Sequence, residues 1–222
     1  MILITRPLES AYNTLDKVKA MGLMGKVFPL LKIEFNVPAL KQIDFKSFDV
    51  IVITSQNISN ALKKNSLSVD NPILVVGERN AGLLSESGFN VQAYKPTATD
   101  LLAYICEKVS LFKKILYLSG DHIASQLDTK LTSLGYNVKR RVVYSSIAVD
   151  TLPAEVLRDV RQILFYSSRT AKVFSEVCHN DLSLVTAICI SENTAFMLKS
   201  LNFKDILVAN LPTEESMLSL LK

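Results

Sequence analysis

Residues Gln162–Phe174 read QILFYSSRTAKVF. An apolar run gives way at Tyr166-Ser167-Ser168 to a small polar turn, and the turn opens into a helix. The same phrase stands earlier, as DVIVITSQNISNAL over Asp49–Leu62, with Thr54-Ser55 where Tyr166-Ser167 stands later. A buried strand that ends in hydroxyl residues at a helix N-terminus makes an anion site, because the first-turn N–H groups lack intrahelical partners. Two copies, half a chain apart, predict two similar lobes with a ligand between them.

Other echoes extend the pair. GERNAGLLSESGF (Gly77–Phe89) matches SENTAFMLKSLNF (Ser191–Phe203), Pro96-Thr97 matches Pro212-Thr213, and ILITRP (Ile2–Pro7) matches ILYLSG (Ile115–Gly120). The separations drift by only a few positions, as loop insertions would make them do. Between the echoes, short apolar strands alternate with segments of helical spacing. Ile2–Thr5 is a strand and Leu8–Met21 a helix closed by Gly22. Lys26–Leu30 is the next strand, and Ile33–Pro38 is extended. Helices are expected over Asn57–Lys64, Glu78–Ser87, Leu101–Val109 with Thr99 or Asp100 as cap, Ile123–Leu134, Thr170–Val177 and Asn193–Leu201. Val138–Val149 is a long extended run.

β–α–β alternation with short turns predicts parallel sheets. The order of the echoes predicts the topology. The chain starts one lobe, builds the whole of a second, then returns to finish the first. Lobe 1 is expected at 1–34 and 149–222, and lobe 2 at 35–148. The crossings near Ile33–Pro38 and Tyr144–Val149 would lie side by side as a two-stranded β-ribbon hinge. Five strands per lobe fit a flavodoxin-like doubly wound sheet, so the fold class is α/β, one lobe being discontinuous in sequence. Ligands bind beyond the carboxyl ends of such strands. Those ends are Thr5-Arg6, Thr54-Ser55, Gly77, Ser119-Gly120, Ser167 and Ser191, small or hydroxyl-bearing residues that let backbone amides approach a ligand.

Bulk properties narrow the function. A length of 222 residues with 49% apolar content provides ample core. The formal charge of +4 is dispersed, which argues against nucleic acid and suits a small anionic ligand. Lys139-Arg140-Arg141, the densest cluster, reads as the exposed flank of a strand. No leader pattern or membrane-length apolar run occurs. Three cysteines, Cys106, Cys178 and Cys189, lack metal or CxxC spacing and read as reduced, mostly buried thiols of a cytoplasmic protein. The two histidines, His122 and His179, have no ligand pattern around them, so no metal is expected. No GxGxxG follows a strand, which disfavours a dinucleotide enzyme.

The motifs ILITRP, FDVIVITSQN, VVGERNA, LYLSGD, VVYSS, LFYSS and PTEESMLSLL, in this order and over nearly the whole chain, resemble the uroporphyrinogen-III synthase family. The resemblance implies a cofactor-independent lyase of heme biosynthesis. Its substrate would be hydroxymethylbilane, a linear tetrapyrrole with acetate and propionate arms. The enzyme would remove water, close the macrocycle and invert ring D, through an azafulvene and a spiro-pyrrolenine. It also implies that the family's important tyrosine falls on Tyr144, as donor or positioner for the leaving hydroxyl. Hydroxyls at strand ends fall on Ser55, Ser167 and Thr194. Arg6, Gln56, Gly77, Asn80, Ser119, Gly120 and Ser168 complete the expected binding set. The chain departs from the family at Asn80 (often threonine), at Ser119 (often arginine) and at Ser191–Thr194 (often Gly-Pro-Thr-Thr), which favours backbone-mediated binding. Glu78 and Glu192 would repel carboxylate arms and should point away.

Each residue has a plainer reading beside this one. Tyr144 is also a core or ribbon tyrosine, Arg6 a strand flank, and Ser55 and Ser167 helix N-caps. Gly77 and Gly120 also serve turn geometry. A non-catalytic two-lobed binder or sensor of a tetrapyrrole or other small anion is the alternative function. Neither nucleic acid nor a membrane is expected as a partner, and a monomer is favoured.

Overall fold

Apart from one antiparallel pair at a sheet edge, the strands of both sheets pair in parallel, as β–α–β alternation requires. The computed structural model describes residues 1–65, 67, 69–123 and 125–222, with all their side chains but that of Glu9. The chain forms two compact units, Met1–Ile33 with Ile147–Lys222, and Glu34–Ser146.

Numbered along the chain, the first unit contains β1 (Ile2–Ile4), α1 (Leu8–Ala20), β2 (Gly25–Val27), β9 (Gln162–Phe165), α7 (Ser168–Val177), β10 (Thr186–Cys189), α8 (Glu192–Phe196), β11 (Asp205–Val208) and α9 (Glu214–Leu218). Its sheet runs β2-β1-β9-β10-β11. Side chains of its central strands alternate between two cores, because both faces of a parallel sheet are covered. Leu3, Ile163, Phe165, Ala187 and Cys189 pack on one face, where Phe165 meets Phe174 edge-on with 5.1 Å between ring centroids. Ile2, Ile4, Leu164 and Ile188 pack on the other with Ala11, Leu15 and Val18 of α1.

The second unit holds α2 (Val37–Lys41), β4 (Val50–Ile53), α3 (Gln56–Lys64), β5 (Ile73–Val76), α4 (Glu78–Glu86), β6 (Val91–Lys95), α5 (Ala98–Lys108), β7 (Lys114–Gly120) and α6 (Leu127–Ser133). The strands β3 (Leu31–Phe35) and β8 (Asn137–Ala148) carry the chain out of the first unit and back, and the sheet order is β3-β8-β7-β4-β5-β6. Asn36 N–H donates to the Val143 carbonyl at 2.9 Å, and Val149 N–H to the Leu30 carbonyl at 3.1 Å, so β3 and β8 run antiparallel. The repeats match β7, β8, β4, β5 and β6 to β1, β2, β9, β10 and β11. In those terms both sheets have the strand order 2-1-3-4-5 of flavodoxin-like folds. Among the described residues, no helix is long and apolar enough to cross a membrane.

Several elements differ from expectation. β2 stops at Val27 because Pro29 follows. The segment expected to stay extended to Pro38 turns helical at Val37, where Asn36 caps by accepting from Ala39 N–H and Pro38 occupies the first turn. Thr97, not Thr99 or Asp100, caps α5, so that helix begins at Ala98. The helix expected from Ile123 begins only at Leu127, after Gln126 in the left-handed region at φ 48°; Ala124, inside that expected span, lies outside the described residues. α8 ends at Phe196 rather than Leu201.

Candidate functional site

Strand ends and helix starts build the site in each unit. In the second unit, β4 ends at Ile53, and Ser55 caps α3 by accepting a hydrogen bond from Asn57 N–H at 3.3 Å. Its Oγ also lies 3.0 Å from the Tyr144 hydroxyl. Tyr144 is delivered by a bulge: Ser119 pairs with Val142 but Gly120 pairs with Tyr144, so β8 carries one extra residue there. Such a bulge re-aims the side chain beside it. The Tyr144 ring then covers Gly120, where any Cβ would sit 2.4 Å from the ring. Phe35 packs against the same ring, 6.0 Å between centroids.

Around this pair lies a cavity of about 220 Å³ lined by Thr54, Ser55, Val76, Ala98, Gly120, His122, Ile123, Ser125 and Tyr144. Thr54 Oγ1 is 2.9 Å from the hydroxyl of Tyr117, a fully buried residue of β7. The lining side chains are hydroxyl-bearing or apolar apart from His122, which is exposed and sits 3.1 Å from Asp121. The cavity offers hydroxyl donors and acceptors above a glycine floor. That suits the handling of a leaving hydroxyl or an electron-rich ring, and holds no nucleophile–base pair.

The remaining expected residues of this unit divide. Gly77 precedes α4 at φ 89°, a conformation L side chains rarely adopt, and its own position provides no side-chain cap to α4. Gln56 opens α3 with an exposed side chain. Ser119 and Asn80 face inward. Ser119 Oγ accepts from Arg140 Nε at 2.8 Å and donates to the Gly120 carbonyl. Arg140 also donates to the carbonyls of Gly120 and Asp121, at 2.8 and 2.9 Å, and so ties down the strand end beneath the cavity. Asn80 takes a hydrogen bond from Ser59 and donates to the Val76 carbonyl at 3.3 Å, locking α4 to α3 and β5.

In the first unit, Thr5 Oγ1 donates to the Leu164 carbonyl at 2.7 Å, and Ser167 caps α7 by accepting from Thr170 N–H at 3.1 Å. Ser168 and Ser191 both reach Thr194 Oγ1, at 3.4 and 3.1 Å, and Thr194 is buried. Arg6, expected in the binding set, is paired with a carboxylate of the chain itself. Its guanidinium lies 4.1 Å above the Tyr166 ring and bonds Glu214 Oε1 at 2.9 Å. Thr14, Lys17 and Tyr166 donate to the same carboxylate. Burial would raise the Glu214 pKa, but Lys17, Thr14 and Arg6 outweigh it and hold the group below its ordinary value. Burial, with the Glu214 charge adding to it, pushes Tyr166 up to about 12. Glu78 and Glu192 are both exposed.

Sequence reasoning overlooked Tyr117 and Glu214, and it read Arg140 as part of an exposed flank, whereas Arg140 is half-buried and bonded to the end of β7. Tyr117 had a signal: it is a phenol inside the apolar strand KILYL, and a buried phenol needs a hydrogen-bond partner. Glu214 had none, since its partners are far away in the chain. Among the described residues, no three His, Cys, Asp or Glu side chains converge as a metal site would require.

A sequence model described as uroporphyrinogen-III synthase HemD matches residues 13–219. The porphyrin biosynthesis protein HemD of Ruminiclostridium josui is 24% identical over 239 residues, covering 98% of this chain and 47% of that protein. The chain therefore spans about half the length of that curated relative. Among solved structures, the uroporphyrinogen-III synthetase of Helicobacter pylori superposes with a TM-score of 0.68 at 24% identity, over 88% of this chain and 91% of that one. A mutant uroporphyrinogen III synthase of Thermus thermophilus does so at 0.57 and 16%, over 99% and 96%. Both likenesses are of fold.

Proposed function

The chain belongs to the uroporphyrinogen-III synthase HemD family, and we propose that it cyclises hydroxymethylbilane to uroporphyrinogen III with loss of water and inversion of ring D. The observation that carries this reading is the family match, which spans both units. The polar, glycine-floored cavity at Tyr144 supports it.

In this reading the Tyr144 O–H, held by Ser55, donates to the terminal hydroxyl of the substrate. The C–O bond breaks, water departs, and the adjoining pyrrole nitrogen supplies the electron pair, leaving a protonated azafulvene. The electron-rich terminal pyrrole attacks through carbon to give the spiro-pyrrolenine. Cleavage and re-closure of the C–C bond invert ring D, and loss of a ring proton restores aromaticity. One proton is delivered and one released, so the balance is the loss of water. The protein must orient the ends of the chain and place one proton, which hydroxyls and backbone amides suffice to do. The first-turn amides of α3, α4 and α7 are the groups proposed to take acetate and propionate arms. Arg6 and the capping Ser167 border that face of the first unit, whereas Ser119, Asn80 and Thr194 act by holding elements in place. A cytoplasmic monomer that uses no metal or organic cofactor is part of the proposal.

The test is a coupled assay. Hydroxymethylbilane is generated in situ, the protein added, and the oxidised porphyrin isomers separated. Type III porphyrin above the enzyme-free control is expected. Type I alone would overturn the reading.

A further inference from the structure

A second phenol serves the same cavity from below. Tyr117 is fully buried in the middle of β7, yet its hydroxyl reaches Thr54 Oγ1 at 2.9 Å, and Thr54 lines the cavity that Tyr144 lines. Ser125 is another residue that lines the cavity. The cavity is thus flanked by two phenol–hydroxyl pairs, Tyr144 with Ser55 and Tyr117 with Thr54, on adjacent residues of the β4–α3 turn.

The pairs differ in what they leave free. Tyr144 itself faces the cavity, whereas Tyr117 does not and can act only through its neighbours. Burial raises the Tyr117 pKa, so the phenol stays protonated and keeps a hydrogen to donate. Either oxygen can donate across the 2.9 Å contact; with the phenol as donor, one lone pair of Thr54 Oγ1 is satisfied and the threonine's own O–H is free for the cavity. A lone threonine at a strand end rotates its hydroxyl among several acceptors. One held by a buried phenol does not.

We propose that Thr54 is a second hydrogen-bond donor to the substrate, acting at the departing hydroxyl beside Tyr144, and that Tyr117 is the positioning residue that aims it. This deepens the function proposed above and rests on it. The reaction has a use for two donors: an oxygen leaving as water presents two lone pairs, and a donor on each stabilises the charge it gathers as the C–O bond breaks.

A double-mutant cycle in the coupled assay tests this, with Thr54→Val, Tyr117→Phe and the double variant. Each single variant should lower kcat about 10-fold or more, with KM changed less than about twofold, as the loss of one transition-state donor does. Because Tyr117 acts through Thr54, the double variant should be no slower than Thr54→Val, and Thr54→Ser should keep most of the rate. Independent, multiplying losses in kcat, or losses confined to KM, would overturn the inference while the wild type still makes type III porphyrin. An unaltered kcat in Thr54→Val, which removes one hydroxyl from a part-exposed position, would overturn it even if Tyr117→Phe failed to fold. A wild type that yields only type I would overturn both this and the proposed function.

Discussion

Gly120 has no side chain because Tyr144 occupies the space: a Cβ there would lie 2.4 Å from the phenol carbon Cζ and 2.8 Å from its oxygen. The contact is imposed by the bulge that pairs these two residues across β7 and β8. Gly120→Ala must therefore push the ring off Ser55. The overpacking should cost about 1–3 kcal/mol of stability. The displaced phenol should cost about 100-fold in kcat, on the scale of a reacting group misplaced by about 1 Å. Urea unfolding and isomer-resolved turnover measure the two effects separately.

Tyr144→Phe keeps the ring over Gly120 and removes only the hydroxyl. Turnover should fall about 10- to 100-fold, the scale of one general-acid contribution, while the unfolding midpoint stays close to wild type. Unchanged turnover would take Tyr144 out of the mechanism.

Asn80 stands where the family often has threonine, but here it is buried between Ser59 and the Val76 carbonyl. Asn80→Ala leaves both without that partner, so the expected cost is about 1–3 kcal/mol of stability. Because the side chain faces the inside of the unit, KM should stay within about twofold. A large rise in KM at unchanged stability would assign it to substrate instead.

Glu214 gathers Arg6, Thr14, Lys17 and Tyr166. Its folded pKa lies below the ordinary 4.5, so the unfolded chain takes up the proton first as pH falls. The stability it contributes is complete above about pH 4.5 and lost as pH drops through the folded value. Glu214→Gln should flatten that acid limb in a urea-midpoint profile. It should also cost about 1–3 kcal/mol near neutrality, by weakening the hold on Arg6 and Lys17.

At alkaline pH the sign reverses. Burial, with the Glu192 charge second, pushes the Cys189 thiol from its ordinary 9.0 to about 12, so the unfolded chain loses its proton first. Stability should fall from about pH 9 by up to about 1.4 kcal/mol per pH unit from this thiol alone. Cys189→Ala should reduce that slope. An aromatic disulfide reagent should meet only Cys106 in the native protein, since Cys178 and Cys189 are buried and Cys106 is exposed.

The sequence alone determined the α/β class, the parallel sheets and the two lobes. Each rests on local signals: apolar runs of strand length, helical spacing, and turn residues that recur half a chain later. It also placed Ser55 and Ser167 at helix starts, because an N-cap is defined by the few residues around it. Only the tertiary structure decided which way individual side chains face. Ser119 and Asn80 sit in motifs that resemble a binding site, yet packing turns them inward to Arg140 and Ser59. Arg6 meets a carboxylate from the other end of the chain, and Tyr144 reaches Ser55 only because one extra residue in β8 rotates it there. Such contacts join residues far apart in sequence, and no local pattern carries their geometry.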